Sequence, residues 1–455
     1  MELNKAQKEA VTHTYGPCMV VAGPGSGKTF VITSRIINMI KVKKINPKNI
    51  IVITFTKEAA MQMKRRFFIH AEQENLLDTT DIKKSDVTFG TFHAIYFEIL
   101  RDSFGYSMDS VIDENEKREY IKKALNICKS KKHLKNEDIN KKENEKIRTV
   151  YSKLLKDDKK LDYEEMITMC KKLLSSNRSV LKKYQDKYKY FLIDEFQDIN
   201  DSQYEIVKLV CKSKNIFVVG DDDQSIYEFR GASGQIFRKF ERDYKICRKI
   251  ILNVNYRSVS KIVNFSSRII NNNISHLPKE LVSASDKKGL IEIRSFANKD
   301  EESLYIVHAL LKSHKSGIPY SQMAILFRTN VIPYTLIYYL VEYKIPFLIG
   351  EKIAFGSGYK KLFKEYFDLK DALVTKQDAV SLFTFHASKG LEFTDVHILE
   401  ANDGIIPHKK SLARNELEGE RRLFYVACTR AKENLHILYT KDSRKPSRFI
   451  FEGIK

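Results

Sequence analysis

The chain has 455 residues, 43% hydrophobic and 30% charged, with 79 Lys and Arg against 58 Asp and Glu for a net charge of +21. That length is enough for two or three domains, each with its own core, and no apolar run approaches the length of a membrane span, so no membrane partner is expected. Its 6 cysteines and 11 histidines form no Cys-x-x-Cys and no His-Glu-x-x-His, which argues against a zinc or iron–sulfur site and fits a reducing compartment.

The start, Met1-Glu2-Leu3-Asn4-Lys5, has no signal-peptide core, so a cytoplasmic address is expected. The apolar run Cys18-Met19-Val20-Val21 then reads as a buried strand, and Phe30 to Ile37 as a helix packed on a sheet. Between them lies Ala22-Gly23-Pro24-Gly25-Ser26-Gly27-Lys28-Thr29. Strand, glycine-rich turn and Gly-Lys-Thr opening a helix make the context of a phosphate-binding loop. The glycines let backbone N–H groups turn toward phosphates, and the helix N-terminus adds its positive end. Lys28 would reach the β- and γ-phosphates, and the Thr29 hydroxyl would hold Mg²⁺. The strict pattern wants Gly where Ala22 stands.

Further buried strands are expected at 50–53, 191–193, 216–219 and 249–252, each ending near polar or glycine residues with helical patterns between. A second series runs through 290–293, 324–327, 382–385, 396–399 and 435–438. The pattern is α/β, with two doubly wound parallel-sheet domains whose ligands sit at the strands' carboxyl ends. Boundaries are expected at 1–104 and 189–250 for the first domain, with a Lys-, Glu- and Asn-rich helical insertion at 105–188. The second domain takes 251–349 and 379–455, with a short insertion at 350–378.

The run Phe191 to Asp198 delivers adjacent acids at a strand tip. Asp194 would bind Mg²⁺ there, and Glu195 would orient and deprotonate an attacking water. A third tip, Gly220 to Tyr227, carries Gln224, suited to sensing a γ-phosphate. Arg257 and Arg430 are candidates for stabilising charge on a transferred phosphoryl group. Taken singly, each arginine reads more readily as a surface salt bridge.

The ordered set of motifs resembles the superfamily 1A helicases, the UvrD/Rep/PcrA group. In chain order it shows Leu3-Asn4-Lys5-Ala6-Gln7, the loop at 22–29, Thr54-Phe55-Thr56-Lys57-Glu58-Ala59-Ala60, and Gly90-Thr91-Phe92-His93-Ala94. It continues with Asp194 to Asp198, Gly220 to Tyr227, Asn255-Tyr256-Arg257-Ser258, Thr384 to Glu392, and Arg421 to Ala431. In this family alanine at position 22 is ordinary. The resemblance implies two RecA-like domains, with the 350–378 stretch as a reduced form of the family's 2B insertion.

The resemblance also implies an ATP- and Mg²⁺-dependent 3′-to-5′ DNA helicase or translocase, hydrolysing ATP between the two domains while moving on single-stranded DNA. Gln7 would read adenine, Tyr256 would stack on it and Glu392 would meet the ribose. Arg35 joins the nucleotide set, and Gln224, Arg257 and Arg430 would contact the γ-phosphate. Phe55, Thr56, Phe92 and His93 would touch the single strand from the first domain; Tyr227, Phe229, Arg328, Asn330 and His386 would do so later in the chain. Phe55 and His93 read equally well as packed core residues.

Three departures qualify the resemblance. Phe229 stands where the family usually has tryptophan, giving a smaller stacking face. The short 350–378 insertion bears on duplex unwinding, since the 2B subdomain regulates that step in relatives. No nuclease domain or sizeable tail is expected after the last strand. The expected partners are single-stranded and 3′-tailed duplex DNA. A second reading is a DNA-stimulated translocase or end sensor with weak unwinding, beside a partner nuclease or repair protein, as in compact UvrD-like subunits of antiviral systems such as Gabija. A third is a nucleotide-switched scaffold, against which Glu195, Arg257 and Arg430 speak. Charge and stacking aromatics do not separate RNA from DNA.

Overall fold

The computed structural model describes residues 2–74, 86–130, 134–139, 144–227, 235–331, 334–350, 378–442 and 444–454. Phe229 and the 351–377 part of the expected short insertion lie outside the described residues.

Two six-stranded sheets organise the chain. The first contains β1 (Cys18–Ala22), β2 (Ile50–Thr54), β3 (Thr88–Thr91), β4 (Tyr190–Ile193), β5 (Asn215–Gly220) and β6 (Arg248–Leu252), in the order β3-β2-β4-β5-β1-β6. The strands β1 and β2 are buried at every residue, which is why they read as unbroken apolar runs rather than as alternation. The edge strand β6 is buried only at alternate positions, Ile250 and Leu252. A parallel pair follows, β7 (Val254–Val259) with β8 (Val282–Ser285).

The second sheet contains β9 (Leu290–Phe296), β10 (Met323–Phe327), β11 (Phe347–Ile349), β12 (Val380–Thr384), β13 (Phe393–Ile398) and β14 (Ala431–Thr440). Its order is β11-β12-β10-β13-β14-β9, parallel at every pairing. Two cores form on it. One includes Val259, Phe265, Phe385, Phe424 and Leu435; the other includes Leu310, Ile325, Leu336 and Phe347. The strands β3, β7, β8 and β11 lie outside the expected set. Gly90 and the brief Phe347–Ile349 run give too little periodicity to announce β3 and β11.

Among the described residues of 105–188 lie the helices Glu114–Ile127, Glu145–Asp157, Tyr163–Ser176 and Arg178–Lys187. Capping sets three of these starts: Asp113 accepts from the N–H groups of Asn115 and Glu116, Asp162 from those of Glu164 and Glu165, and Asn177 from that of Val180. Tyr120, Ile121, Ile147, Tyr151 and Leu155 close a small core between helices.

The chain divides into two compact units: Met1–Met19, Thr29–Val219 and Arg238–Lys249; and Val20–Lys28, Gly220–Phe237 and Ile250–Lys455. The second unit therefore takes the tips following β1 and β5, whereas the sequence boundary near 250 follows the sheets. The reason is packing within that unit, described next. No helix of the described residues is long and apolar enough to cross a membrane.

Candidate active site

In the second unit, β1 ends at Ala22 and a helix starts at Lys28 with five residues between, so Gly23–Gly27 is a forced turn. Gly25 and Gly27 sit at φ +66° and +81°, where a β-carbon costs about 1–2 kcal/mol. At Gly25 space is also closed: a β-carbon would lie 2.6 Å from Arg257 Cβ and 2.8 Å from Asn255 Oδ1. The Tyr256 N–H donates to Gly25 O at 2.9 Å, and the Gly23 N–H to Leu252 O at 3.1 Å. The Ser26 hydroxyl closes the turn on Gly23 O at 2.7 Å.

Asn255 shapes the segment that meets this loop, its Oδ1 accepting from the N–H groups of Arg257 and Ser258, both at 2.8 Å. Arg257 then donates through Nε to Glu392 at 2.7 Å and through Nη1 to Thr429 O at 3.3 Å. Lys432 holds the other Glu392 oxygen at 3.1 Å. Burial pushes the Glu392 carboxyl up, but Arg257 and Lys432 outweigh it and hold the group below the usual carboxylate range. Tyr256 is 36% exposed.

Arg430 corrects the reading of a surface salt bridge: it is 1% exposed. Its Nε donates to Val426 O, Nη1 to Leu391 O, and Nη2 to Thr429 Oγ1 and to Gln224 Oε1, the last at 3.4 Å. Gln224 in turn donates from Nε2 to Asp221 Oδ2 at 2.6 Å, and its carbonyl accepts from Lys389 at 2.8 Å. Behind this chain stands a residue that sequence reasoning missed. Lys279, 2% exposed, contacts Asp221, Asp222 and Asp223, each at 2.7 Å. Three consecutive acids after a buried strand require a buried cation. That requirement was visible in the sequence; the position that meets it, more than fifty residues later, was not.

In the first unit, Asn4 and Gln7 form a capping box: the Gln7 N–H donates to Asn4 Oδ1 at 2.9 Å, and Gln7 Oε1 accepts from the Asn4 N–H at 3.0 Å. Gln7 is thereby buried and fixed. Arg35 is 2% exposed; its guanidinium lies 4.1 Å from the Phe217 ring centre and donates to Ala10 O and His13 O. It clamps the end of the helix Lys5–Thr12 that carries Gln7, so the direct nucleotide contact expected of it gives way to support. Thr29 is half-buried and Asp194 buried, two hard oxygen donors of the kind Mg²⁺ takes. Glu195 adopts φ +50°, outside the range most side chains choose, and its carboxylate accepts from Gln197 Nε2.

The expected nucleic-acid contacts divide. Thr56 caps the helix Lys57–Gln73, its hydroxyl accepting from the Ala59 N–H at 3.1 Å, and Phe55 is half-buried. Phe92 is corrected: at 2% exposure, beside Tyr96, it is a core ring with no face to offer a base. His93 packs edge-on to Tyr163 at 4.9 Å, and burial lowers its imidazole pKa. In the second unit, Arg328 is also corrected. Its fork grips Glu420 at 3.0 and 2.5 Å, which leaves it less free for a phosphate. It nevertheless lines an open groove of about 460 Å³ with Ser225, His386 and Arg414. Asn330 is exposed, and Tyr227 donates to His386 O at 3.5 Å beneath the Lys389 ammonium.

The chain matches the UvrD/REP helicase N-terminal domain over residues 3–149 and 110–245. It matches the UvrD-like helicase C-terminal domain over residues 250–367 and 363–442. It is 34% identical over 386 residues to "ATP-dependent DNA helicase Rep" of Buchnera aphidicola, a match spanning 78% of this chain and 56% of that protein. It is 33% identical over 635 residues to "ATP-dependent DNA helicase PcrA" of Staphylococcus epidermidis and of Staphylococcus aureus, spanning 99% of this chain and 86% of each relative. Since 635 positions exceed the 455 residues of the chain by 180, at least that many positions of PcrA have no counterpart here.

Proposed function

The chain belongs to the UvrD/REP helicase family, as an ATP-dependent DNA helicase of the Rep and PcrA type, and we propose that it hydrolyses ATP between its RecA-like domains while stepping 3′ to 5′ along single-stranded DNA. The observation that carries this is the linked set around the phosphate loop, in which Arg257 lies against Gly25 while Gln224 and Arg430 touch each other. Two guanidinium groups and an amide on one frame are what charge on a transferred phosphoryl group requires.

The residues take the following parts. The loop 22–28 cradles the phosphates with Lys28, Tyr256 stacks on adenine, Gln7 reads its edge and Glu392 meets the ribose. Thr29 and Asp194 hold Mg²⁺, which supplies charge neutralisation at the phosphates when bound. Glu195 orients the attacking water and takes its proton. Thr56, His93, Tyr227, Asn330 and His386 line the path of the strand, where stacking and backbone contacts grip without reading sequence. With six free cysteines, the proposed compartment is the cytoplasm.

One measurement tests the core of the proposal: ATP hydrolysis with and without single-stranded DNA, run beside strand displacement on 3′-tailed and 5′-tailed duplexes. Strong stimulation with displacement of the 3′-tailed substrate only is the expected result. Displacement from 5′ tails would overturn the polarity, and no stimulation would overturn coupling to DNA.

The 180 or more PcrA positions without a counterpart favour a second reading. In it the chain translocates or senses DNA ends but unwinds weakly alone, beside a partner nuclease or repair protein. Stimulated hydrolysis without displacement of either duplex selects that reading.

A further inference from the structure

Away from the nucleotide residues, one face of the second sheet carries Asp395, His397 and His436, 0%, 0% and 7% exposed. Asp395 and His397 are two apart on β13 and so share a face. His436 stands directly opposite His397 on β14, and Glu292 stands opposite His436 on β9. A buried sheet face normally takes aliphatic side chains; two imidazoles and a carboxylate there need a reason.

We propose that Asp395, His397 and His436 form a structural site for a divalent transition-metal ion, with Zn²⁺ the best fit. Their donor atoms all lie within 4.8 Å of one another. Asp395 Oδ1 is 3.3 Å from His397 Nε2 and 3.3 Å from His436 Nε2. Bonds of about 2.0–2.1 Å to a tetrahedral ion imply ligand–ligand edges of about 3.3 Å, so two of the three edges already have the required length.

The hydrogen bonds around the cluster support the same assignment. His436 Nδ1 faces Glu292 Oε2 at 2.9 Å, the carboxylate partner that ligating histidines characteristically have on the nitrogen away from the metal. Glu292 is itself held by the Tyr305 hydroxyl, and Asp395 Oδ2 accepts from Ser313 Oγ at 2.5 Å. Asp395 Oδ1 and both ring nitrogens of His397 form no well-aligned hydrogen bond among the described residues, and Asp395 Oδ1 has the two imidazole contacts at 3.3 Å in their place. Buried polar atoms so weakly satisfied are costly, and coordination satisfies Asp395 Oδ1 and the His397 nitrogen that faces it.

The third edge must close. The imidazoles stack at 4.4 Å with planes 7° apart, so an ion between them lies outside both ring planes. His397, held only by its 3.3 Å contact with Asp395, can turn its Nε2 toward the ion. Neither Cys-x-x-Cys nor His-Glu-x-x-His spacing announces such a site, because its ligands come from two strands about forty residues apart. The strands β13 and β14 begin just after Glu392 and Arg430, so the ion would pin together two strands that carry nucleotide residues at their starts.

The test uses the full chain, stripped with a chelator and titrated with Co²⁺ and then Zn²⁺. The expected result is one Co²⁺ per chain with the visible bands of a four-coordinate ion, displaced by Zn²⁺, and a Tm rise of roughly 3 °C or more at saturating Zn²⁺. His397→Leu should lose both the bands and the Tm rise. Should that variant fail to fold, histidine-ring ¹⁵N shifts of the unaltered chain answer the question, since Zn²⁺ must move those of His397 and His436. No saturable binding, equal binding by His397→Leu, or unmoved ring shifts would overturn the proposal; a proton on His436 shared with Asp395 and Glu292 would then account for the cluster.

Discussion

Lys279 and Asp221 meet at 2.7 Å in a pocket where they are 2% and 0% exposed, and Asp221 passes that contact on to Gln224. The same ammonium also contacts Asp222 and Asp223, each at 2.7 Å. Replacing Lys279 by Met would leave three buried carboxylates without their cation. A loss of about 3–5 kcal/mol is expected, read as a lower denaturation midpoint. In whatever fraction folds, ATP turnover should fall because Gln224 loses its anchor. A stable, fully active Lys279→Met protein would show that the triad is satisfied some other way.

The same cluster sets a pH dependence. Burial pushes the Asp223 carboxyl up to about 8 against the pull of Lys279, with Asp222 and Asp221 adding to the rise. The unfolded value is about 3.9, so between those limits the folded chain holds a proton that the unfolded chain releases. Its stabilising contribution is complete below pH ~4 and is lost as pH rises through about 8. Asp223→Asn should flatten the fall in stability over that window, measured by denaturant unfolding at several pH values.

Gly25 is the position where the loop tolerates least. Its φ of +66° and the 2.6 Å approach to Arg257 Cβ act together. Gly25→Ala should cost about 1–2 kcal/mol from conformation alone, and more from displacement of Arg257. Nucleotide affinity should drop at least tenfold by fluorescent-ATP titration. Gly16→Ala, at φ +80° with open space around it, serves as the control that isolates the conformational cost.

Glu195→Gln separates hydrolysis from binding. A water-activating carboxylate contributes roughly 10²- to 10⁴-fold, so turnover should collapse by that factor while ATP affinity stays within a few-fold. Turnover that survives within tenfold would move the base to another residue. Full biological activity of a hydrolysis-dead variant would instead revive the nucleotide-switch reading.

Much of the fold was legible because strands such as β1, β2 and β10 are buried on two faces, which writes them as apolar runs ending near glycine or polar residues. The phosphate loop was legible for a related reason: a left-handed turn needs glycine, and the glycines are local. What stayed hidden was pairing between distant residues. Nothing near Arg328 announces Glu420, and nothing near Asp221 announces Lys279. Phe92 sits on a motif yet faces the core, because a helix starting at that residue turns it inward. The division into compact units was hidden too, since the tips after β1 and β5 pack with later residues such as Asn255 and Lys279 rather than with their own strands.

The net charge of +21 becomes informative only through salt. If the lysines and arginines meet phosphates, each contact releases counterions, and single-strand affinity falls with a log–log slope of about −0.7 per contact. With three or four such contacts, raising salt from ~50 to ~200 mM should weaken binding roughly 20- to 50-fold. Arg414 is the residue to remove first, because it lines the groove with His386 while Arg328 there is held by Glu420. Arg414→Ala should lower affinity and reduce the slope by about 0.7, seen in titrations of a labelled oligonucleotide across salt concentrations. A flat response would place the basic residues away from the strand, and an unchanged slope with weaker binding would make Arg414 structural.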